Sequence, residues 1–351
     1  MESICYLNLA TYSQVGGIEN YNKFFLKALD SFNDGITSVS VYDKNNSQEF
    51  NNIEFKNFNK NKVRASFYLL RNIYKIEKII VAHINLLPVV VIAKILNPKL
   101  KVYLSIYGIE VWKKLPTLFV WFLKRIKILS ISTYTTEVFR KFNNFSKENI
   151  FYLPPGIDST VNRKYGNVYN ENDFNILSVT RLDRDDNYKG IDSVLKTIPL
   201  LIEKIPNIKY TIIGKGDDKD RLVALTKELE VEKYVEFKGF VECVDPYYQY
   251  CDIFILPSKG EGFGIVYIEA MKYKKPCIAC DEGGQTDVVL DGKTGYLCEY
   301  DNIKCISTKI INLFKDPDER YFLGNNGFEY SKTHFMFNSF KERLRSILNT
   351  P

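Results

Sequence analysis

Glu261 and Glu269 are separated by seven residues in a stretch that also holds Gly260, Gly262 and Gly264. An apolar run, Ile253 to Leu256, precedes the glycines. A helical pattern from Ile265 to Tyr273 follows them, and a second apolar run starts after Pro276. That order is a strand–loop–helix–strand unit, and its loop falls where open parallel sheets hold ligands. Glycines let a backbone approach a guest closely and adopt positive φ. The first amides of a helix are unpaired and its N-terminus carries partial positive charge, so the natural guest is a phosphate. Gly262, Phe263, Gly264 and Ile265 supply those amides. A carboxylate beside a phosphate is repelled, so the two glutamates suit hydroxyls at either end of the guest. At helical rise they stand about 12 Å apart, roughly the span of a sugar–diphosphate–ribose unit. Glu261 then faces a sugar and Glu269 a ribose.

A diphosphate also needs cations. Arg181 (in Ser178-Val179-Thr180-Arg181-Leu182) and Lys189 (in Tyr188-Lys189-Gly190) flank a loop after an earlier apolar run. Arg brings a fork of donors and Lys a point charge. Asp183-Arg184-Asp185 lies between them and reads as solvated acid rather than a metal site. With Arg181, Lys189 and a helix N-terminus to neutralise the phosphates, no metal is required.

These residues sit in a chain whose helical and strand patterns alternate throughout, which makes it α/β. The first half reads as strand 4–9, helix 19–29, strand 38–42, an Asn-rich loop or small excursion 45–61, helix 64–74, strand 78–83, helix 87–96, strand 101–106, helix 115–125, strand 127–132 and helix 133–142. Phe151–Asp158, punctuated by Pro154, Pro155 and Gly156, reads as a link between domains. The second half reads as strand 175–179, helix 191–204, strand 210–213 ending at Gly214-Lys215-Gly216, helix 219–229, strand 235–237, and then the unit around Glu261. Helices 303–314 and 318–332 close it, and a last helix, 337–348, follows. At 351 residues the chain holds two domains, residues 1–156 and residues 157–334, followed by the segment 335–351.

Glu261-Gly-Phe-Gly-Ile-Val-Tyr-Ile-Glu269-Ala-Met resembles the paired-glutamate signature of retaining glycosyltransferases of family 4 (glycosyl transferases group 1), which have the GT-B fold. Gly283-Gly284-Gln285-Thr286-Asp287 and Asp291-Gly292-Lys293-Thr294-Gly295 extend the resemblance, with Asp287 where a Glu is usual. The resemblance implies two Rossmann-like domains facing each other across a cleft, with the nucleotide sugar on the C-terminal one and the C-terminal helix, 335–351, packed back on the N-terminal one. It implies that Arg181 and Lys189 hold the donor diphosphate and stabilise the leaving nucleotide. Gly16-Gly17, after the first strand, matches the family's glycine loop towards the donor, and Gly214 and Gly216 complete the donor-binding set. Tyr107, in Tyr107-Gly108-Ile109-Glu110-Val111-Trp112, stands where the family usually has a His that contacts the donor sugar. A phenol hydrogen-bonds a sugar hydroxyl but is a poor base at neutral pH. The family's proposed front-face route needs no protein base, since the departing phosphate takes the acceptor proton.

The chain has only two histidines, His83 and His334, and no Ser-His-Asp or Cys-His arrangement. Its seven cysteines are odd in number and several fall in apolar strands, which suits a reducing cytoplasm. Cys277 and Cys280 share a strand and lack a second pair at zinc spacing. No apolar run reaches a membrane span, and Ile4–Leu9 is too short for an export signal. Charge is uneven. Residues 1–160 carry 21 Lys and Arg against 12 Asp and Glu, and the remainder 27 against 30, within a net +6. A basic first half points to an acidic partner. The segment 112–127, with Trp112 and Lys113, and the set Arg64, Phe67, Tyr68, Arg71, Lys75 and Lys78 suit an anionic membrane carrying a lipid-linked acceptor. His83, Trp112 and Lys113 are the acceptor-side candidates, and no nucleic-acid module is present.

The expectation is a retaining, metal-independent hexosyltransferase without a cofactor. It moves a sugar from a nucleotide sugar, with UDP favoured, to a hydroxyl of a glycan or polyprenyl-linked acceptor in bacterial surface polysaccharide synthesis. It is cytoplasmic and peripheral on the inner face of the cell membrane. The alternatives are a nucleotide-sugar 2-epimerase of the same architecture and a non-catalytic nucleotide-sugar binder.

Overall fold

A computed structural model of the chain describes residues 3–13, 16–32, 35–44, 49–158 and 164–350, apart from the side chain of Asn187. Two compact units emerge: residues 1–157 with 337–351, and residues 158–336.

The first unit is built on β1 (Ser3–Asn8), α1 (Gly17–Asp30), β2 (Gly35–Ser40), β3 (Ile53–Asn57), α2 (Lys62–Asn72), β4 (Lys78–Val81), α3 (Leu87–Leu96), β5 (Lys101–Ile106), α4 (Thr117–Leu123), β6 (Lys127–Ser130), α5 (Thr133–Asn143) and β7 (Ile150–Tyr152). Its seven strands are all parallel, in the order β3-β2-β1-β4-β5-β6-β7. Strands covered on both faces have no polar side to spare, which is why they read as continuous apolar runs. Cys5, Leu7, Ile79, Val81, Val102, Leu104 and Ile128 face a layer made by α2, α3, α4 and α5. The other face carries Tyr6 and Tyr103 against α1 and the chain's last helix, α12 (Phe337–Asn349). Tyr6 stacks on Phe25, Phe340 packs edge-on to Tyr21 and Phe25, and the Tyr103 hydroxyl donates to Leu348 O at 3.3 Å.

Two strands of this unit depart from the sequence reading. The Asn-rich stretch 45–61 contains β3, whose Ile53 and Phe55 alternate inward at the sheet edge. The interdomain link begins as the opposite edge strand, β7. Both are short, and their few apolar residues do not stand out from loop composition. Residues 45–48 of the Asn-rich stretch lie outside the described residues.

The second unit comprises β8 (Phe174–Val179), a 3-10 turn (Arg184–Lys189), α6 (Ile191–Ile202), β9 (Ile208–Ile213), α7 (Lys219–Glu228), β10 (Val235–Gly239), α8 (Asp245–Tyr250), β11 (Ile253–Leu256), α9 (Ile265–Lys272), β12 (Cys277–Cys280), β13 (Gly295–Cys298), α10 (Ile303–Lys315) and α11 (Pro317–His334). Its sheet is also parallel, in the order β10-β9-β8-β11-β12-β13. From β8 the chain runs outward through β9 and β10, returns to the centre, and continues the other way from β11. The switch point therefore lies between β8 and β11. Loops leaving the carboxyl ends of two strands diverge there and open a crevice. The first unit has the same feature between β1 and β4.

Cys298, at the end of β13, is joined by a disulfide to Cys305 in α10. This corrects the expectation of reduced thiols throughout. The pair bridges a strand–helix junction, and no recognised spacing announces it. Cys277 and Cys280 are free thiols within β12. Among the described residues, no helix is long and apolar enough to cross a membrane.

Candidate active site

The two loops of the β8/β11 switch point carry the residues singled out by type and spacing. After β8, Leu182 N–H donates to Lys215 O at 3.1 Å and Thr180 N–H to Ile213 O at 3.0 Å. The Gly214–Gly216 strap is thereby laid against the segment that bears Arg181. The 3-10 turn then delivers Lys189, and Gly190 follows at φ 74°. A Cβ on Gly190 would stand 2.4 Å from Pro257 O, so only glycine lets this loop pack onto the end of β11. Lys259 N–H donates to Tyr188 O at 2.8 Å and closes the contact.

Lys189 and Glu261 consequently meet. Nζ and Oε1 are 2.7 Å apart, and the side chains are 14% and 15% exposed. Burial pulls the ammonium down, but the Glu261 carboxylate, with Tyr188 and Asp186 nearby, outweighs it and holds the Lys189 pKa above its ordinary 10.5. Arg181 is 64% exposed and ion-paired with Asp186 at 2.8 Å and Asp183 at 3.6 Å. Asp183 and Asp186 therefore serve as counter-ions to the arginine, a partnership that the acidic reading of 183–185 did not anticipate.

After β11, Gly260 N–H donates to Glu282 O at 3.1 Å and Gly284 N–H to Glu261 O at 2.7 Å, so the loops after β11 and β12 brace each other. Gln285 fastens them from beneath. It is fully buried, and its Nε2 lies within 3.0 Å of the carbonyl oxygens of Ser258, Cys280 and Glu282. Gly264 caps α9 in the left-handed region at φ 90°. The amides of Gly262, Phe263, Gly264 and Ile265 have no acceptor among the described residues. Four unpaired amides leading into a helix, with a buried ammonium held by the adjoining carboxylate, make an anion cradle.

Glu269 lies on α9. Its Oε2 accepts a hydrogen bond from the buried Tyr248 hydroxyl of α8 at 2.9 Å. Burial raises the Glu269 pKa above its ordinary 4.5, and the Tyr248 bond offsets part of that rise. Sequence reading missed Tyr248 because α8 is six residues long and its run of tyrosines shows no helical period. It also missed Gln285 as an anchor and Asp186 as the partner of Arg181.

In the first unit, Gly16 and Gly17 open α1 after β1; Gln14 and Val15 lie outside the described residues. Asp43, unremarked in the sequence, fixes the preceding loop. It accepts from the amides of Thr11, Tyr12 and Ser13 at 2.8–3.1 Å and from the Ser40 hydroxyl at 2.8 Å. Burial pushes Asp43 up, but these hydrogen bonds win and hold it below its ordinary 3.8. His83 follows β4, across that unit's switch point. Its Nδ1 accepts from Asn85 N–H at 3.1 Å. Burial lowers its pKa against the pull of Glu110 and Glu19, so the ring is neutral with its proton on Nε2.

Two expected contact residues are placed inward. Tyr107 is buried, packed edge-on against Tyr21 at 5.6 Å, and its hydroxyl lies by that of Ser105 with neither completing a hydrogen bond. Burial drives its pKa well above 10. Aromatic packing against Tyr21 holds the phenol in this buried position. Trp112 packs against Tyr134 at 5.3 Å with its indole N–H buried, while Lys113 is exposed.

Residues 163–330 match the family model of glycosyl transferases group 1. The capsular polysaccharide biosynthesis glycosyltransferase CapM of Staphylococcus aureus is 30% identical over 198 residues, 55% of this chain and 50% of its own length. The uncharacterized glycosyltransferase MJ1178 of Methanocaldococcus jannaschii is 28% identical over 342 residues, 92% of this chain and 91% of its own. This chain thus spans half the length of the first relative and nearly all of the second. The crystal structure of Anabaena Alr3699/HepE in complex with UDP and glucose superposes with a TM-score of 0.80 over 99% of both chains, at 16% identity, a likeness of fold. With two parallel α/β units the chain has the GT-B fold, and its segment 163–330, which holds the anion cradle, resembles the glycosyl transferases group 1 family.

Proposed function

We propose that this glycosyltransferase moves a hexose from a UDP-sugar, with retention at the anomeric carbon, to a hydroxyl of a glycan or lipid-linked acceptor during synthesis of a bacterial surface polysaccharide. One observation carries the donor assignment: the unpaired amides of Gly262–Ile265 adjoin the buried Lys189–Glu261 pair at the switch point of the second sheet. The choice of UDP and of polysaccharide draws support from relatives. HepE was crystallised with UDP and glucose, and CapM is named for capsular polysaccharide biosynthesis.

In this reading the amides and Lys189 grip the diphosphate. Arg181 exchanges its carboxylate partners for phosphate oxygens and stabilises the leaving nucleotide. Glu269 accepts from the ribose hydroxyls through Oε1, because Tyr248 already engages Oε2. Glu261 accepts from a sugar hydroxyl. As the anomeric C–O bond to the β-phosphate breaks, the acceptor oxygen bonds to the same face of that carbon. Its proton passes to the departing phosphate oxygen. Positioning and charge stabilisation supply the rate, and two cations with four amides neutralise the diphosphate without a divalent metal.

The test is incubation with a panel of UDP- and GDP-sugars, with and without glycan or polyprenyl-phosphate acceptors, followed by nucleotide release and product analysis. Release of UDP only when an acceptor is present is the expected result. Interconversion of nucleotide sugars without acceptor would establish a 2-epimerase instead, and binding without turnover a non-catalytic protein.

A further inference from the structure

Parallel strands covered on both faces should be apolar along their length, and one corner of the second sheet breaks that rule. Asn175 of β8 pairs with Lys209 of β9, and Thr211 of β9 with Glu236 of β10. Lys209 and Thr211 are two residues apart, so all four side chains fall on one face of the sheet. Asn175 and Thr211 are nonetheless only 5% and 2% exposed. The segment before β8 covers them. Its Tyr169 lies by Thr211 and packs edge-on against Tyr247 of α8 at 5.8 Å. Between that segment and the strands is a cavity of about 310 Å³, a volume in keeping with small-ligand sites. It lies towards the amino ends of β8, β9 and β10, whereas the anion cradle follows the carboxyl end of β11.

The charges on the cavity wall cancel, with Lys209 and Lys233 against Asp173 and Glu236. Both ammonium groups are already engaged. Lys209 Nζ donates to Lys233 O at 2.7 Å, and Lys233 Nζ lies 4.9 Å from the centre of the Tyr234 ring. Glu236 pairs with Lys238. A charged guest of either sign would therefore meet groups of its own sign. The Tyr169 hydroxyl gives a second signal, because it is shut off from solvent at this wall and completes no hydrogen bond. A buried polar atom left unpaired calls for a guest that can pair with it. Hydroxyl, amide, carboxylate and ammonium groups set among tyrosine rings suit a molecule whose polar groups both donate and accept, and which also has an apolar face. A pyranose has both, with hydroxyls around its rim and C–H groups on its faces.

We propose that this cavity is a non-catalytic glycan-binding site that holds one or two neutral sugar residues of an oligosaccharide, apart from the donor cradle. The site stands on its own lining. It rests on the proposed function only in that the glycan held there is the polymer being extended. A polymer gripped at such a site leaves less readily between transfers, because its second contact with the protein is intramolecular.

The experiment is titration of the full chain, in the presence of UDP, with hexasaccharides of glucose, of mannose and of N-acetylglucosamine, and with a galacturonic acid hexasaccharide as the anionic control. Calorimetry and saturation-transfer NMR read the binding. Saturable binding of at least one neutral hexasaccharide, tighter than that of the galacturonate, is expected. Tyr234→Ala is expected to lower the affinity by about five-fold or more, and Glu236→Gln by about 10-fold. Tyr234 is half-buried and Glu236 exposed, so both variants should fold, and UDP binding by thermal shift checks that. Retained UDP binding with weakened glycan binding supports the site. Lost UDP binding in the unmutated chain tells against the donor reading and leaves the glycan site to its own result. Absence of saturable binding by every neutral hexasaccharide, binding that both variants keep, preference for the galacturonate, or displacement of the glycan by UDP would each overturn the proposal.

Discussion

Replacing Lys189 by Met keeps the length and bulk of the side chain but leaves the Glu261 carboxylate without its ion partner in a site where both side chains are about 85% buried. At an effective dielectric constant of about 20, two charges 2.7 Å apart attract by about 6 kcal/mol. Desolvation of the pair consumes most of that, so the net value of the bridge is small. Removing one partner is different, because the survivor stays buried and uncompensated, and that costs about 3–5 kcal/mol. With residual exposure at both groups the low end applies, about 3 kcal/mol, or about 6–12 °C in the melting of a unit of this size. Lys189→Met/Glu261→Gln removes the stranded charge and should regain most of that loss. Turnover should behave otherwise. The single variant loses the cation facing the diphosphate, and about 10²–10³ in kcat is expected to go with it; the double variant should not recover it. Thermal unfolding and donor-dependent UDP release on the four members of the cycle measure both quantities. A raised Lys189 pKa means that the bridge stabilises fully below pH 10.5 and fades as pH climbs through the raised value, so stability comparisons belong near pH 7. Recovery of turnover in the double variant would refute the reasoning, since Lys189 would then serve only to hold Glu261.

Glu269→Gln is expected to weaken donor binding by about 10- to 100-fold, the worth of a charged hydrogen bond to a hydroxyl, measured by calorimetry with UDP. Because burial raises the Glu269 pKa, the native state loses stability as pH rises from 4.5 through the raised value; the Gln variant should therefore melt higher than the parent at pH 7, with the gain vanishing below pH 4.5. Asp43→Ala leaves the amides of Thr11, Tyr12 and Ser13 without their acceptor and should destabilise the first unit by about 2–3 kcal/mol. The depressed Asp43 pKa makes that contribution present above pH 3.8 and lost as pH falls through the depressed value, which acid titration of the melting curves reads out. His83→Phe should leave the pH–rate profile between 5 and 8 without a new or missing limb, because the ring as placed is a neutral donor rather than a base.

The architecture was legible because parallel strands covered on both faces must be apolar along their length; Ile79–Val81 and Ile253–Leu256 announce themselves. Edge strands lack that requirement, so β3 and β7 blended into Asn- and Pro-rich sequence. At the site, local chemistry was readable. The glycines around Glu261, the helix that follows, and the cations flanking residues 182–188 all advertise what they can hold. Pairings were not. Lys189 meets Glu261 across 72 positions, Tyr248 meets Glu269 from a helix with no period, and Gln285 works beneath the surface. Such contacts depend on strand order, and the switch point between β8 and β11 is a property of the folded sheet rather than of any segment.

The inward placement of Tyr107 bears on where the acceptor proton goes. A base needs an accessible lone pair and a pKa near the working pH. Tyr107 lacks the first, being enclosed by Tyr21 and the first unit's core, and its raised pKa removes the second. His83 is neutral, but its Nδ1 lone pair is taken by the Asn85 amide, which leaves Nε2–H as a donor. Glu261 is spoken for by Lys189, whose ammonium occupies its Oε1. Under the proposed transfer, the strongest base arising at the reacting carbon is the phosphate oxygen released from it. That oxygen becomes basic only as the bond to the sugar breaks, so proton transfer and bond breaking are coupled without a titrating side chain. The amides of Gly262–Ile265 and the ammonium of Lys189 must then hold the leaving diphosphate firmly enough to favour departure, yet leave one oxygen basic enough to take the proton. An ion pair that already ties Lys189 to Glu261 tempers its charge in that direction.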